Sequence, residues 1–291
     1  MTKIDFRDQI SRNKRNSFFL IIIVFIVLVL LGYVISFAFD PSFFFLIMII
    51  SIIFSLGYIL VSYYKSDKIA IASVQAKHAY RDDYPDYHRL VEGLTIASGL
   101  PMPKLYVMPS PQINAFASGR NPENSVVCVT TGALEKLDRR ELEGVLAHEL
   151  GHIQSYDIRY MTLVTVMVGM IAIISQIFLR SLWFRSGNND KNNAIFIIIG
   201  IAMAILAPIV VQLVQFSISR KREYSADASA VKFTRYPNGL IGALKKIDTD
   251  IAPPEKKVSK AVAPLFFANP LKNLTSTHPP IEKRINALQH M

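Results

Sequence analysis

Charge and cysteine are both scarce in this chain of 291 residues. Only 19% of positions are Asp, Glu, Lys or Arg, against about 25% in soluble domains. That shortfall excludes an ordinary domain surrounded by water as the whole answer. A single cysteine, Cys128, excludes an intramolecular disulfide, so nothing asks for an oxidising compartment. In its apolar setting the thiol reads as packing. Internal repeats and long low-complexity tracts are also missing. What is plentiful is apolar: 51% of residues are hydrophobic and the mean hydropathy is +0.31. This excludes disorder and points to lipid.

The apolar excess falls in four stretches. Ser17 to Phe39 and Ser42 to Tyr63 contain no charged residue over 23 and 22 positions, and each meets the requirement of about 20 residues for a helix crossing a hydrocarbon core. Only Asp40 and Pro41 separate them, which predicts a helical hairpin. Thr162 to Leu179 and Ala194 to Phe216 predict a second hairpin, with Arg180 to Asn193 at its tip. The first stretch follows Lys3, Arg7, Arg12, Lys14 and Arg15, yet it exceeds the 7 to 15 residues of a signal-peptide core, so a retained anchor is expected.

The net charge of +10 admits nucleic acid or an anionic membrane surface as partner. With both hairpins crossing, 29 of the 32 Lys and Arg residues fall on one side. The positive-inside rule then places both termini and both hydrophilic segments in the cytosol, against the anionic inner leaflet. No nucleic-acid partner is expected. The resulting organisation is a tail and first hairpin over 1–63, a first part of a cytosolic domain over 64–160, a second hairpin over 161–216 and the rest of the domain over 217–291. Short strands are predicted at Lys104 to Met108, Ile113 to Ala117 and Val126 to Thr130. The expected class is a mainly α membrane protein with two transmembrane hairpins and a cytosolic α+β domain holding a small sheet.

The residues that carry chemistry are His148-Glu149-Leu150-Gly151-His152. Positions four apart on a helix differ by about 40° in azimuth, so both imidazoles can face one Zn²⁺. Glu149 falls beside such a metal without ligating it, where it can take a proton from the attacking water. Asp138 with Glu141 three residues on supplies a helix start that resembles a capping box. A catalytic zinc needs a third protein ligand and an open fourth position. Glu223 is the candidate, with Asp227 one turn on to accept the N–H of a zinc histidine. If helices run straight out of the membrane to these ligands, the metal lies about 10 to 15 Å beyond the apolar boundary at 1.5 Å per residue.

The HELGH run, the stretch Ser219 to Asp227 (SRKREYSAD), the two apolar hairpins, Asn114 to Gly119 (NAFASG) upstream, and Thr277 to Pro280 (THPP) with Arg284 downstream together resemble the HtpX-type membrane zinc endopeptidases. These are gluzincins grouped with the CAAX prenyl proteases, and the resemblance spans essentially the whole chain. It implies zinc held by His148, His152 and Glu223, with Glu149 as general base. It further implies that Asp227 supports a histidine ligand and that His278 and Arg284 stabilise the oxyanion. Asn114, Ala115, Phe116 and Ala117 are similar to the edge strand on which a peptide substrate is laid. The implied activity is a zinc metalloendopeptidase of the bacterial inner membrane that cleaves misfolded or damaged membrane proteins at the cytosolic face. The alternatives are a CAAX-type protease acting on lipidated peptides, or a non-catalytic zinc-binding membrane protein, which needs a fourth protein ligand. A transporter is disfavoured because the spans carry no Asp, Glu, Lys, Arg or His.

Overall fold

A computed structural model describes residues 6–36, 41–166, 220–250, 263–268 and 279–291. Long proline-free runs of Ile, Leu, Val and Phe make helix α1 over Phe6–Ser36 and helix α2 over Phe44–Tyr64, the latter preceded by a 3-10 turn at Pro41–Phe43. Their stretches Asp8–Leu30 and Phe44–Tyr64 are long and apolar enough to cross a membrane, and most of their residues are not buried. Phe45 and Ile53 are 77% and 64% exposed. A core helix of a soluble domain hides such residues, whereas a helix solvated by lipid turns them outward. The pair touches at Gly32, where a Cβ would sit 2.1 Å from Ser51 Oγ. Small residues of this kind let membrane helices approach closely.

The first predicted hairpin is therefore present, but α1 begins 11 residues ahead of its apolar run. Those extra turns bury a polar face. Gln9, Asn13 and Ser17 recur at a spacing of four and are all buried, so they share one face. Of the second predicted hairpin, residues 162–166 are helical, and the remainder, 167–216, lies outside the described residues.

The hydrophilic part of the chain starts at helix α3, Ser66–Ser73, and helix α4, Pro85–Ser98, which opens on proline and closes on left-handed Gly99 (φ 70°). Four strands follow the order β1-β2-β4-β3, with β1 at Lys77–His78, β2 at Lys104–Met108, β3 at Ala115–Asn121 and β4 at Asn124–Thr130. The β2/β4 pair is parallel and the other two pairs are antiparallel. The register of β4 puts Cys128 opposite both Tyr106 and Phe116. Its thiol is buried and pushed up by desolvation, as packing requires. The expected strand at 104–108 matches β2, whereas β3 starts two residues later than expected and β1 carries too few residues to leave a pattern.

Helix α5, Thr131–Lys136, leads to helix α6, Arg139–Gln154. The capping box is closed: Asp138 Oδ1 accepts from the backbone N–H of Arg140 and Glu141, and Glu141 Oε2 accepts from the N–H of Asp138. Apolar residues Leu142, Val145, Leu146, Leu150 and Ile153 of α6 enter the main core. At Ser155 the helix stops, Tyr156 adopts a left-handed φ of 59°, and helix α7 resumes at 157–166. This corrects the expectation that the first two ligands lie on a continuation of the third membrane helix. α6 is a separate element, and α7 packs Leu163 and Val164 against Leu20, Val24, Tyr58 and Ile59 of the hairpin.

Helix α8, Arg220–Thr234, lies along α6, followed by helix α9, Pro237–Thr249, and helix α10, Ile281–Gln289. The approach of α8 depends on Gly151. A Cβ there would meet Ser229 Cβ at 2.9 Å and Ala226 Cα at 3.2 Å. The glycine between the two histidines is thus what lets the helix that carries Glu223 come alongside. The outcome is a mostly helical protein with a small mixed sheet, its core beneath α6.

Candidate active site

His148 and His152 stand one turn apart on the buried face of α6, with rings edge to face at 4.7 Å. Glu223 reaches them from α8. The Nε2 atoms of the two histidines are 3.1 Å apart, and the Glu223 carboxylate oxygens lie 3.7 Å from His148 Nε2 and 3.6 Å from His152 Nε2. Ligands about 2.0–2.1 Å from a tetrahedral metal are about 3.3 Å from one another, so the three side chains already define one face of a coordination tetrahedron. Among the described residues they are the group of His, Cys, Asp and Glu side chains able to share an ion.

The far side of each ring fixes its tautomer. His148 Nδ1 is 2.8 Å from Asp227 Oδ1, and His152 Nδ1 is 3.3 Å from Asp157 Oδ2. With both Nδ1–H groups donating to carboxylates, both Nε2 lone pairs point at each other and at a third carboxylate. Such a cluster of acceptors is repulsive without a cation, and it is the donor set that imidazole-binding and carboxylate-binding metals take. Without one, burial lowers His148 to about 4, helped by the Arg284 charge. Burial opposes charge on His152 too, but the Asp157 hydrogen bond with the Glu223 and Glu149 carboxylates outweighs it and pushes that imidazole up to about 9.

Glu149 is next to the pair, fully buried. Desolvation, with the Glu223 charge adding to it, raises its carboxyl to about 7, against the lowering pull of His152 and of a hydrogen bond from the Ala117 N–H. A carboxylate that exchanges its proton near neutrality suits a general base.

Arg284 sits behind the site on α10. Its Nε and Nη2 form a fork on Asp227 at 2.9 and 2.6 Å, its Nη1 is 3.6 Å from Glu223 Oε2, and its plane covers the Phe267 ring at 4.7 Å. The structure thus brings it to Asp227, the partner of His148, and to Glu223, a candidate ligand. His278, its expected companion, lies outside the described residues.

The expected substrate strand, Asn114 to Ala117, is at the open edge of the sheet, and its neighbours are specific. Phe267 N–H donates to Ala115 O at 2.8 Å, and the Asn114 side chain brackets the backbone of Ala268 with bonds of 2.8 and 3.0 Å. Phe116 packs on Phe266 at 5.0 Å, and Phe267 lies edge-on to His148 at 4.8 Å. The cavity bounded by Ala117, Glu149, the three candidate ligands and Phe267 measures ≈ 10 Å³, about the room of one water. Residues 263–268 therefore cover the start of the strand. Sequence reasoning missed Asp157, a carboxylate five positions after His152, and missed the buried polar face of α1, where Gln9, Asn13 and Ser17 recur at a spacing of four.

Comparison with known proteins agrees with this geometry. Residues 81–291 match the family model described as Peptidase family M48. A Protease HtpX homolog of Dictyoglomus thermophilum is 42% identical over 298 residues, covering 100% of this chain and 96% of that protein. Another, from Caldanaerobacter subterraneus, is 39% identical over 300 residues, covering 100% and 99%. The crystal structure of S. mikatae Ste24p aligns over 97% of this chain and 66% of its own at 18% identity with a TM-score of 0.49, too loose a likeness to carry an argument. With a histidine pair and a glutamate converging beside an unligated buried glutamate, next to two membrane-length helices, the chain belongs to peptidase family M48 as an HtpX-type membrane metalloprotease.

Proposed function

We propose that the protein is a zinc-dependent endopeptidase that cleaves misfolded or damaged membrane proteins at the cytosolic face of a bacterial inner membrane. The observation that supports this most is the convergence of His148 Nε2, His152 Nε2 and a Glu223 oxygen within 4.8 Å, with Glu149 beside them and outside the ligand set. Three protein ligands and an open position are the catalytic arrangement of zinc, and a fourth protein ligand marks the structural one.

His148, His152 and Glu223 hold the ion, which supplies Lewis acidity toward the scissile carbonyl and toward water. Asp227 and Asp157 keep the two imidazoles in the Nδ1–H form, so that both Nε2 lone pairs face inward. Glu149 accepts the proton of the attacking water and returns it to the leaving amine. Arg284 keeps Asp227 ionised: burial alone would raise that carboxyl, and the guanidinium with the His148 contact lowers it instead. The family resemblance puts Arg284 and His278 at the oxyanion, while the fork of Arg284 is engaged on Asp227.

Membrane proteins fit as substrates because the hairpin and the site share a boundary: Tyr63 and Tyr64 at the end of α2 lie against Arg159 and Arg120 of the catalytic domain. These aromatic and basic side chains suit the interface with anionic lipid. An extended peptide pairing with β3 must displace Phe267 from Ala115.

Glu149→Gln in the full-length protein tests the reading. Bound zinc and casein cleavage are measured together, with zinc expected to stay and cleavage to disappear. Persistent cleavage removes Glu149 as the base, and a wild-type protein that takes up no zinc removes the metalloprotease.

A further inference from the structure

His152 is held from a direction unlike that of His148. The left-handed turn at Tyr156 folds Asp157 back beneath the ring, where Oδ2 faces Nδ1 and also accepts from Ser155 Oγ at 2.9 Å. The other oxygen, Oδ1, accepts from the side-chain amide of Asn13 at 2.5 Å. The same amide nitrogen donates to Ser155 C=O at 2.9 Å, a carbonyl at the end of α6 where intrahelical donors run out. Two bonds exhaust the donors of a primary amide: one caps the HELGH helix and one braces the carboxylate. Asn13 and Asp157 are each 1% exposed, although 144 positions separate them.

Neighbours on α1 reinforce the contact. Lys14 Nζ lies 4.3 Å from the centre of the Tyr156 ring, over the turn itself. Gln9 Oε1 accepts from Ser225 Oγ at 2.9 Å, two residues after Glu223. One end of the first membrane helix therefore touches both elements that carry metal ligands.

We propose that Asn13 is a positioning residue of the metal site, acting through Asp157 on the His152 imidazole, so that the first membrane helix is a working member of the site as well as an anchor. The inference rests on the reading of His152 as a metal ligand. Its physical basis is rotational. A carboxylate 3.3 Å from the Nδ1–H it must accept is at the long end of hydrogen bonding, and it keeps that aim only while both its oxygens are fixed. Ser155 holds one at 2.9 Å and Asn13 the other at 2.5 Å, closer than the Arg222 Nε that lies 3.7 Å from the same oxygen. Removing the amide frees Asp157 to turn, His152 loses its orientation, and the metal is released more easily.

The test uses full-length protein in detergent loaded with Co²⁺, as wild type, Asn13→Leu, Asp157→Asn and the double variant. Leucine matches asparagine closely in volume and has no donors. Loss of Co²⁺ to excess chelator and the visible cobalt spectrum are recorded well below the unfolding temperature of each variant. Asn13→Leu is expected to release metal about tenfold faster, the effect typical of losing a partner that orients a metal ligand, with a changed spectrum. Because the effect passes through Asp157, the double variant should be no worse than Asp157→Asn alone. Metal release and spectrum like wild type in Asn13→Leu overturn the proposal, and so do rates that multiply in the double variant. If Asn13→Leu does not fold, Asn13→Ala is read in the same way. A wild type that binds no Co²⁺ removes the metalloprotease reading and this inference with it, whereas a wild type that binds it beside unaffected Asn13 variants removes this inference alone.

Discussion

The two histidines of the candidate metal site are one turn apart on one helix, yet they are steadied by opposite means. His148 leans on Asp227, which is locked by a two-pronged ion pair to Arg284, all within α6, α8 and α10. His152 leans on Asp157, whose shortest partners are the neutral donors of Asn13 and Ser155, with Arg222 Nε only at 3.7 Å. The first brace is a charge lock made by the catalytic domain. The second is a hydrogen-bonded strut that borrows a membrane helix. The lock joins the site to the core, and the strut joins it to the helix that leads into the first apolar run.

The largest expected effect cuts the lock. Arg284→Met leaves Asp227 buried without a counter-charge, and removing one partner of a buried pair costs about 3–5 kcal/mol. Denaturant unfolding of the detergent-solubilised protein should show a loss of that order. The corresponding cut on the other side, Arg222→Met, should cost less, since Asp157 keeps Asn13 and Ser155. Equal losses would erase the distinction between lock and strut.

Next comes Asp227→Asn, which keeps shape and removes charge. One of the two carboxylate oxygens becomes an NH2 donor, so the His148 Nδ1–H and the Arg284 fork compete for the single acceptor left, and zinc affinity is expected to fall about 10–100-fold as measured by competition with a chromophoric chelator. Asp157→Asn should fall nearer the lower end of that span, because its contact with His152 is longer by half an ångström. The reverse order would mean that the strut, and not the lock, governs the metal.

How much of this was legible in the sequence follows the same division. The histidine pair, the capping box at Asp138 and Glu141, and the partnership of Glu223 with Asp227 are spacings of three or four on helices, and helical periodicity alone exposes them. The apolar runs of α1 and α2 were legible by length. Asp157 was not, because its contact with His152 depends on a left-handed Tyr156, a backbone state that a tyrosine does not advertise. Asn13 was hidden for another reason: its partners are 142 and 144 positions away, and a polar residue ahead of a membrane span reads as a solvated flank. Arg284 was found, but resemblance suggested an oxyanion role while its fork is engaged on Asp227. Periodicity within an element is written locally, and contacts between elements are not.

The smallest expected effect tests whether the strut is a matter of aim or of mere attachment. Lys14 adjoins Asn13 and lies over the Tyr156 ring at 4.3 Å, so it holds the same turn without touching Asp157. A cation–π contact at an exposed site contributes about 0.5–1 kcal/mol. Lys14→Gln should therefore lower unfolding stability by that amount and leave the rate of metal loss to a chelator unchanged, because the Asn13 amide still fixes the carboxylate. If Lys14→Gln instead releases metal as fast as the Asn13 variants, the turn is held by packing of α1 as a whole, and the hydrogen bonds lose their special place. If stability falls while metal retention holds, attachment and aim separate, and the aim belongs to Asn13.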